Sequence, residues 1–175
     1  MTNKKKIKKS KLIYTDLNFD FYEYEKILYQ LFNNKLDKEI GISISQNRFS
    51  FNIPVEYLYI KALKTEQNKI VAALSFNTKL YKYKQFEKFG FILPPELVNS
   101  SIEVIIAFSI DKTNTFYLLN KIRNIFKNTL IKYKKTSIIA TASEHLINFY
   151  KRIGFEVINK KVYKETNKFL LLYKK

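Results

Sequence analysis

Apolar residues recur at helical spacing at Tyr24, Ile27, Leu28, Leu31 and Phe32, behind a D-x-x-E pair formed by Asp20 and Glu23. That spacing predicts a first helix running to about Leu36, with a capping pair at its start. ISISQNRFSF, residues 42–51, alternates only weakly and reads as a strand or a loop. EYLYIKALK and KIVAALSFNT are strand-like runs separated by the turn-prone TEQN, which predicts a hairpin. From Lys79 to Ser101 the pattern breaks up around Pro94 and Pro95. A connection of that length predicts a functional loop, or one with its own short helix.

The run Ile102–Ile110, IEVIIAFSI, is β-branched and apolar almost throughout, as a central strand covered on both faces should be. A stripe of Leu118, Leu119, Ile122, Phe126, Leu130 and Tyr133 then marks a long amphipathic helix, with lysines over much of its other surface. SIIATA is a second buried strand. Ser143 is a candidate N-cap, and Glu144 suits the first turn of EHLINFYKRI, a short helix that Gly154 stops. FEVINK and KFLLLYKK end the chain as two strands joined by a polar turn near 165–167. Strand, helix, strand, helix, strand in this order implies a right-handed crossover within a mixed sheet. The class is α/β or α+β, with one domain over residues 13–175 and a basic tail over 1–12.

Composition narrows the chemistry. The 175 residues contain no cysteine and one histidine, His145, which excludes disulfides, Cys-ligated zinc and a thiol nucleophile, and makes a multi-histidine metal site hard to assemble. No metal is expected. Three glycines, Gly41, Gly90 and Gly154, are too few for the glycine-rich nucleotide-binding loops. No apolar stretch reaches the ~18 residues of a membrane span, and the basic head is not followed by the apolar segment of a secretory signal, so the expectation is a cytoplasmic protein.

The formal charge of +17 invites a nucleic-acid or other acidic partner, but only Arg48, Arg123 and Arg152 among the 32 basic residues are arginines. Lysine, asparagine, isoleucine and tyrosine run high together, as an AT-rich genome would produce, so codon usage and an acidic or phosphate-bearing partner are both open sources of the charge. A basic module that binds nucleic acid is the rival reading; the scarcity of arginine and the absence of a recognition motif disfavour it.

The segment 141–155, TASEHLINFYKRIGF, resembles the last motif of the GCN5-related N-acetyltransferase superfamily, in which a strand leads to a short helix ending in Tyr-x-x-x-Gly-Phe, here Tyr150, Gly154 and Phe155. The surrounding order of elements over residues 18–175 resembles that family too. FEKFGF, residues 86–91, echoes the string without the preceding strand and helix. The plainer alternative makes Tyr150 and Phe155 core aromatics and Gly154 a helix stop.

The resemblance implies a mostly antiparallel twisted sheet of six to seven strands flanked by helices, and transfer of an acyl group from a thioester to an amine by direct attack. It implies Tyr150 as general acid and Glu103 as base, with Glu96 an alternative base and His145 either near a substrate or merely at the surface. Donor-binding positions fall at Ala107, Phe108, Ser109 and Ile110, at Lys112, Thr113, Asn114 and Thr115, and at Ser143, where the family often has Asn. Backbone N–H groups near Ala107 and Phe108 would stabilise the oxyanion.

The family's glycine-rich pyrophosphate loop is replaced by DKTNTF, residues 111–116. The loss resembles that in the branch of acyl-homoserine-lactone synthases and N-acyl amino acid synthases, which can take acyl chains from acyl carrier protein. An acidic carrier could meet a basic surface of Lys121, Arg123, Lys127, Lys134, Lys135, Lys151 and Arg152. The expectation is therefore an N-acyltransferase using acyl carrier protein or coenzyme A thioesters, with ordinary acetyl-coenzyme A chemistry as the alternative. The acceptor is an amine of a small molecule or a protein, its pocket shaped by the first helix and residues 79–101.

Overall fold

The computed structural model describes residues 13–16, 21–32, 42–45, 48–51, 53–65, 67–80, 82–110 and 115–174. The basic head and residues 111–114, with the expected donor contacts Lys112, Thr113 and Asn114, lie outside them, as does the expected cap Asp20. The strands are β1 (Ile13–Asp16), β2 (Ile42–Ser45), β3 (Arg48–Phe51), β4 (Leu58–Lys64), β5 (Ile70–Asn77), β6 (Ser101–Ser109), β7 (Ser137–Ser143), β8 (Glu156–Tyr163) and β9 (Thr166–Lys174). The helices are α1 (Phe21–Phe32), α2 (Gln85–Lys88), α3 (Pro95–Ser100), α4 (Thr115–Tyr133) and α5 (Ile147–Ile153).

Among the described residues seven strands form one sheet in the order β1-β4-β5-β6-β7-β9-β8, and β2 and β3 make a separate antiparallel hairpin. The parallel pair β6 and β7 is joined through α4, the crossover that the order of elements predicts. Strand β1, which no sequence signal marked, pairs with β4 from Ile13↔Lys64 to Asp16↔Lys61. The span 79–101 follows the second of its two expected forms and carries short helices, α2 and α3. The final turn falls at Lys164 and Glu165, both at positive φ (45° and 63°), the geometry of a two-residue hairpin turn whose twist matches the strands it joins.

Both faces of the sheet are covered. On one, α4 and α5 bury Leu119, Ile122, Phe126, Leu130, Tyr150 and Ile153 against Val104, Ile138, Ala140 and Leu171. Phe126 lies at its centre, edge-on to Phe76, Phe155 and Tyr173 at 5.5–5.9 Å between ring centroids. On the other face Tyr24 and Leu28 of α1 and Phe49 of β3 cover Ile60, Ala62, Ala73, Ile105 and Ile106. Tyr24 is fully buried and its hydroxyl bonds that of Ser75 on β5, which ties α1 to the sheet by a polar contact inside an apolar layer.

Candidate active site

The site originates in one irregularity of β6. Ser75 pairs with Ile106 and Phe76 with Val104, so Ile105 is an extra residue facing no partner on β5. A bulge bends its strand and shifts the alternation of side chains. Ile102 and Val104 therefore point to the α4 face, whereas Ile105 and Ile106 both join the α1 face and Ala107 returns to the α4 side. At the same place β6 parts from β7. The two strands pair from Ser101↔Ser137, where the hydroxyls bond at 2.5 Å, only as far as Val104↔Ala140, although both continue for several residues. Beyond that point the main-chain groups of β6 and β7 that would have paired border an opening.

Two hollows meet at this opening. On the α4 side is an apolar cavity of about 210 Å³ lined by Leu63, Ala72 and Leu74 of β4 and β5, Ala107, Phe108 and Ser109 of β6, Leu118, Ile122 and Ile125 of α4, and Phe149 of α5. On the α1 side is a more polar cleft of about 200 Å³ bordered by Phe32, Gln85, Phe89, Ile105, Ile106, Thr141, Ser143, Tyr150 and Lys168. Ala107 and Leu146 line both.

Tyr150 reaches the cleft because α5 is short. Gly154, at φ +116°, donates to the carbonyl of Lys151 at 3.0 Å, and Phe155 N–H returns to the carbonyl of Tyr150 at 3.1 Å. This is a Schellman stop, completed by the edge-on contact of Phe155 with Tyr150 at 5.1 Å. The Tyr-x-x-x-Gly-Phe spacing thus has a structural cause. FEKFGF is the same device: Gly90 has φ +77°, its N–H meets the carbonyl of Glu87, and Phe91 N–H meets that of Phe86. Phe155 and Gly154 build the core and the stop, as the plainer reading has it, and Tyr150, itself buried, also borders the cleft. Burial pushes the Tyr150 phenol up to about 12, so it stays protonated at neutral pH, and among the described residues its hydroxyl has no hydrogen-bond partner.

Glu103 lies elsewhere than its expected role as base requires. It is completely buried and borders neither hollow. Its two carboxyl oxygens accept the backbone N–H groups of Gln85 at 2.9 Å and Phe86 at 2.8 Å, the free donors at the start of α2. Burial raises it to about 8 against an ordinary 4.5; the two N–H bonds pull the other way. The alternation of β6 before the bulge turns Glu103 under α2, which a reading of the strand alone could not reveal. Glu96 on α3 and His145 are both exposed and border neither hollow.

Of the donor-binding positions, Ala107, Phe108 and Ser109 line the cavity and Ser143 the cleft. Ile110 is exposed and its N–H is held by the carbonyl of Val71 at 2.8 Å, so it has no amide to offer a ligand. Thr115 is the first residue of α4. Ser143 precedes a 3₁₀ turn, Glu144–Leu146, but makes no cap bond: its hydroxyl instead accepts from Lys168 Nζ at 3.0 Å. In the expected basic surface Arg123 is occupied at the end of α5, donating to the carbonyls of Ile153 and Arg152, and Lys135 donates to that of Asn99. Lys127, Lys134, Lys151 and Arg152 remain exposed. Gln85 was not anticipated. It carries no motif, and only the packing of α2 on β6 brings it to the cleft.

Among the described residues no group of three or more His, Cys, Asp or Glu could hold a metal ion, and no helix is long and apolar enough to cross a membrane.

No protein-family model matches the chain, and no curated protein sequence matches it. The fold, however, is that of known acyltransferases. The AHL synthase LasI superposes with a TM-score of 0.73 at 12% identity, covering 94% of this chain and 90% of LasI. The CoA-dependent acyl-homoserine lactone synthase BjaI, solved with SAM and isopentyl-CoA, gives 0.65 at 9% identity over 87% of this chain and 74% of its own. A mutant form of the spermidine N-acetyltransferase SpeG from Vibrio cholerae gives 0.61 at 11% identity, covering 93% of each chain. The chain shares its mixed, mostly antiparallel sheet with these acyltransferases, the fold that the resemblance of residues 141–155 implies.

Proposed function

We propose that the protein is an N-acyltransferase that moves an acyl group from a thioester to an amine by direct attack. The observation that carries this reading is the opening between β6 and β7, with an apolar cavity on one side and the Tyr150 cleft on the other, both lined by Ala107 and Leu146. The apolar cavity suits a thioester arm and a methylene chain, and supports a donor longer than acetyl, delivered on acyl carrier protein or coenzyme A. The exposed Lys127, Lys134, Lys151 and Arg152 suit an acidic carrier.

The amine enters by the cleft and its nitrogen attacks the thioester carbon, forming C–N as C–S breaks. Main-chain N–H groups of β6 past the bulge receive the carbonyl oxygen as charge develops on it. Tyr150, protonated at neutral pH, donates to the departing sulfur, and the proton lost by the amine replaces the one it gives up. No carboxylate or histidine borders the cleft among the described residues, so Glu103 acts through α2 and not on the substrate.

The test is a thermal-shift and transfer comparison with acetyl-coenzyme A and with a long-chain acyl carrier protein. A ligand at about 100 times its Kd stabilises by about 2.7 kcal/mol, enough to raise the midpoint by several degrees. The expected result is a shift with the long-chain donor and amide product by mass spectrometry. A shift with acetyl-coenzyme A alone would make this an ordinary acetyltransferase. No shift and no product with either donor would end the acyltransferase reading.

A further inference from the structure

The apolar cavity on the α4 side ends in a lysine. Pairing across β4, β5 and β6 sets Lys61, Leu74 and Ala107 in one row, and the alternation of β4 puts Lys61 on the α4 face with Tyr59 and Leu63. Ala107 stands at the opening between β6 and β7, so Lys61 lies two strand spacings away, about 10 Å across the sheet. There Lys61 and Ile125 line a second hollow as well, a groove of about 330 Å³ between β4 and α4 that is otherwise bordered by Tyr59, Asn124, Lys127, Asn128 and Thr129. A half-buried lysine at such a junction lays its methylene stem along the apolar side and carries its charge toward the polar one. In the groove Asn124, Lys127 and Asn128 are exposed, the Thr129 hydroxyl donates to the carbonyl of Ile125 at 2.6 Å, and Lys132 lies 4.0 Å over the Tyr59 ring. Among the described side chains the groove has lysines and no acid; Asp16 of β1 is the register partner of Lys61.

From this we infer that the groove is a second donor subsite, which receives a carboxylate at the far end of the acyl chain, so that the preferred donor is the half-thioester of a dicarboxylic acid. The inference rests on the acyltransferase reading for the end that reacts, and on the groove alone for the end that does not. An extended chain advances roughly 1.2 Å per bond, so about eight or nine bonds from a thioester carbon beside Ala107 bring the last carbon to Lys61, a chain of about ten carbons. A shorter dicarboxylic chain leaves its charge among Leu63, Leu74 and Ile122, where an unpaired carboxylate is heavily penalised. A plain methyl end at the longer length sets hydrocarbon against amides and ammonium groups and forgoes the charge-assisted hydrogen bonds that Lys61, Lys127 and the asparagine amides offer a carboxylate. The groove therefore discriminates by length and charge together.

The experiment titrates the full chain by calorimetry with two pairs of pantetheine thioesters, decanoyl with sebacoyl and hexanoyl with adipoyl, each pair equal in length and differing only in the distal carboxylate. In the longer pair the carboxylated thioester should bind about fivefold or more tighter, and in the shorter pair about tenfold or more weaker. Lys61→Met should bring the ratio in the longer pair to about one. Should that variant fail to fold, Asn128→Asp, at an exposed helix position, sets a like charge in the groove and should bring the same ratio below about twofold. A longer pair bound alike overturns the inference, as does a preference that survives in a folded Asn128→Asp. A carboxylate preference shared by the shorter pair overturns it too, since a basic chain attracts any anion. Amides formed from the same thioesters and a pool of amino acids, glucosamine and spermidine are read by mass spectrometry. Amides without the carboxylate preference remove this inference and leave the acyltransferase standing; the length-dependent preference with no amide from any thioester does the reverse.

Discussion

The carboxyl of Glu103, buried on β6, accepts the backbone N–H of Gln85 at 2.9 Å and so holds the first residue of α2 against the cleft. Its second oxygen takes the N–H of Phe86. Folding places this carboxyl where burial raises it to about 8, against 4.5 for an ordinary glutamate. Between those values the folded protein keeps a proton that the unfolded chain has released, so stability falls as pH rises. The contribution is complete below about 4.5 and gone above about 8. Melting wild type and Glu103→Gln at pH 5 and pH 8 should show this loss in the first and its disappearance in the second. The variant also leaves one N–H of α2 unmatched, at a cost of about 1–3 kcal/mol. An identical pH slope in both proteins would refute the assignment.

Tyr150 is the acid in the proposed transfer, and its hydroxyl has no partner among the described residues, so Tyr150→Phe separates chemistry from packing. The ring contact with Phe155 survives in the variant. We expect kcat to fall by about 10²–10⁴-fold with little change in the melting midpoint. A full transfer rate in the variant would remove the acid role and leave Tyr150 as a core aromatic.

Leu63 lies on β4, two strands away from β6, and lines the end of the apolar cavity far from the β6–β7 opening. Leu63→Phe extends a ring into that end. Overpacking costs about 1–3 kcal/mol of stability. Long-chain thioesters should lose about tenfold or more in kcat/KM, while acetyl-coenzyme A changes little. Equal losses for both donors would place the chain elsewhere.

Gly154 ends α5 at φ +116°, and a Cβ there would stand 3.3 Å from Cε2 of the Tyr173 ring. The conformation requires glycine, and the Tyr173 ring would have to give by a few tenths of an ångström. Gly154→Ala should therefore destabilise by more than about 1 kcal/mol and, by loosening α5, reduce transfer through Tyr150 as well. Urea midpoints within error of wild type would contradict this account of the helix stop.

Much of the architecture follows from short-range chemistry. The stripe of α4, the β-branched run of β6, the hairpin of β4 and β5 and the glycine stop of α5 all arise from residues within a few positions of each other, whose periodicity and backbone freedom the sequence displays directly. The same local logic explains why FEKFGF and YKRIGF look alike: each is a Schellman stop, and nothing within six residues says that both border one cleft, the first through Phe89 and the second through Tyr150. Strand β1 escaped notice because four residues carry little pattern and their partner lies some fifty positions on.

What the chain alone determined was therefore the elements, the classes of chemistry that its missing cysteines and scarce glycines exclude, and one tyrosine at a helix end. Tertiary structure decided the rest. The bulge at Ile105 depends on the register against β5, and the parting of β6 from β7 on strands 36 residues apart. Only α2 docking on β6, 18 positions later in the chain, buries Glu103 away from the substrate and brings Gln85 to the cleft in its place. Side-chain direction on a bulged strand is set by pairing with a distant partner, and no local pattern encodes it.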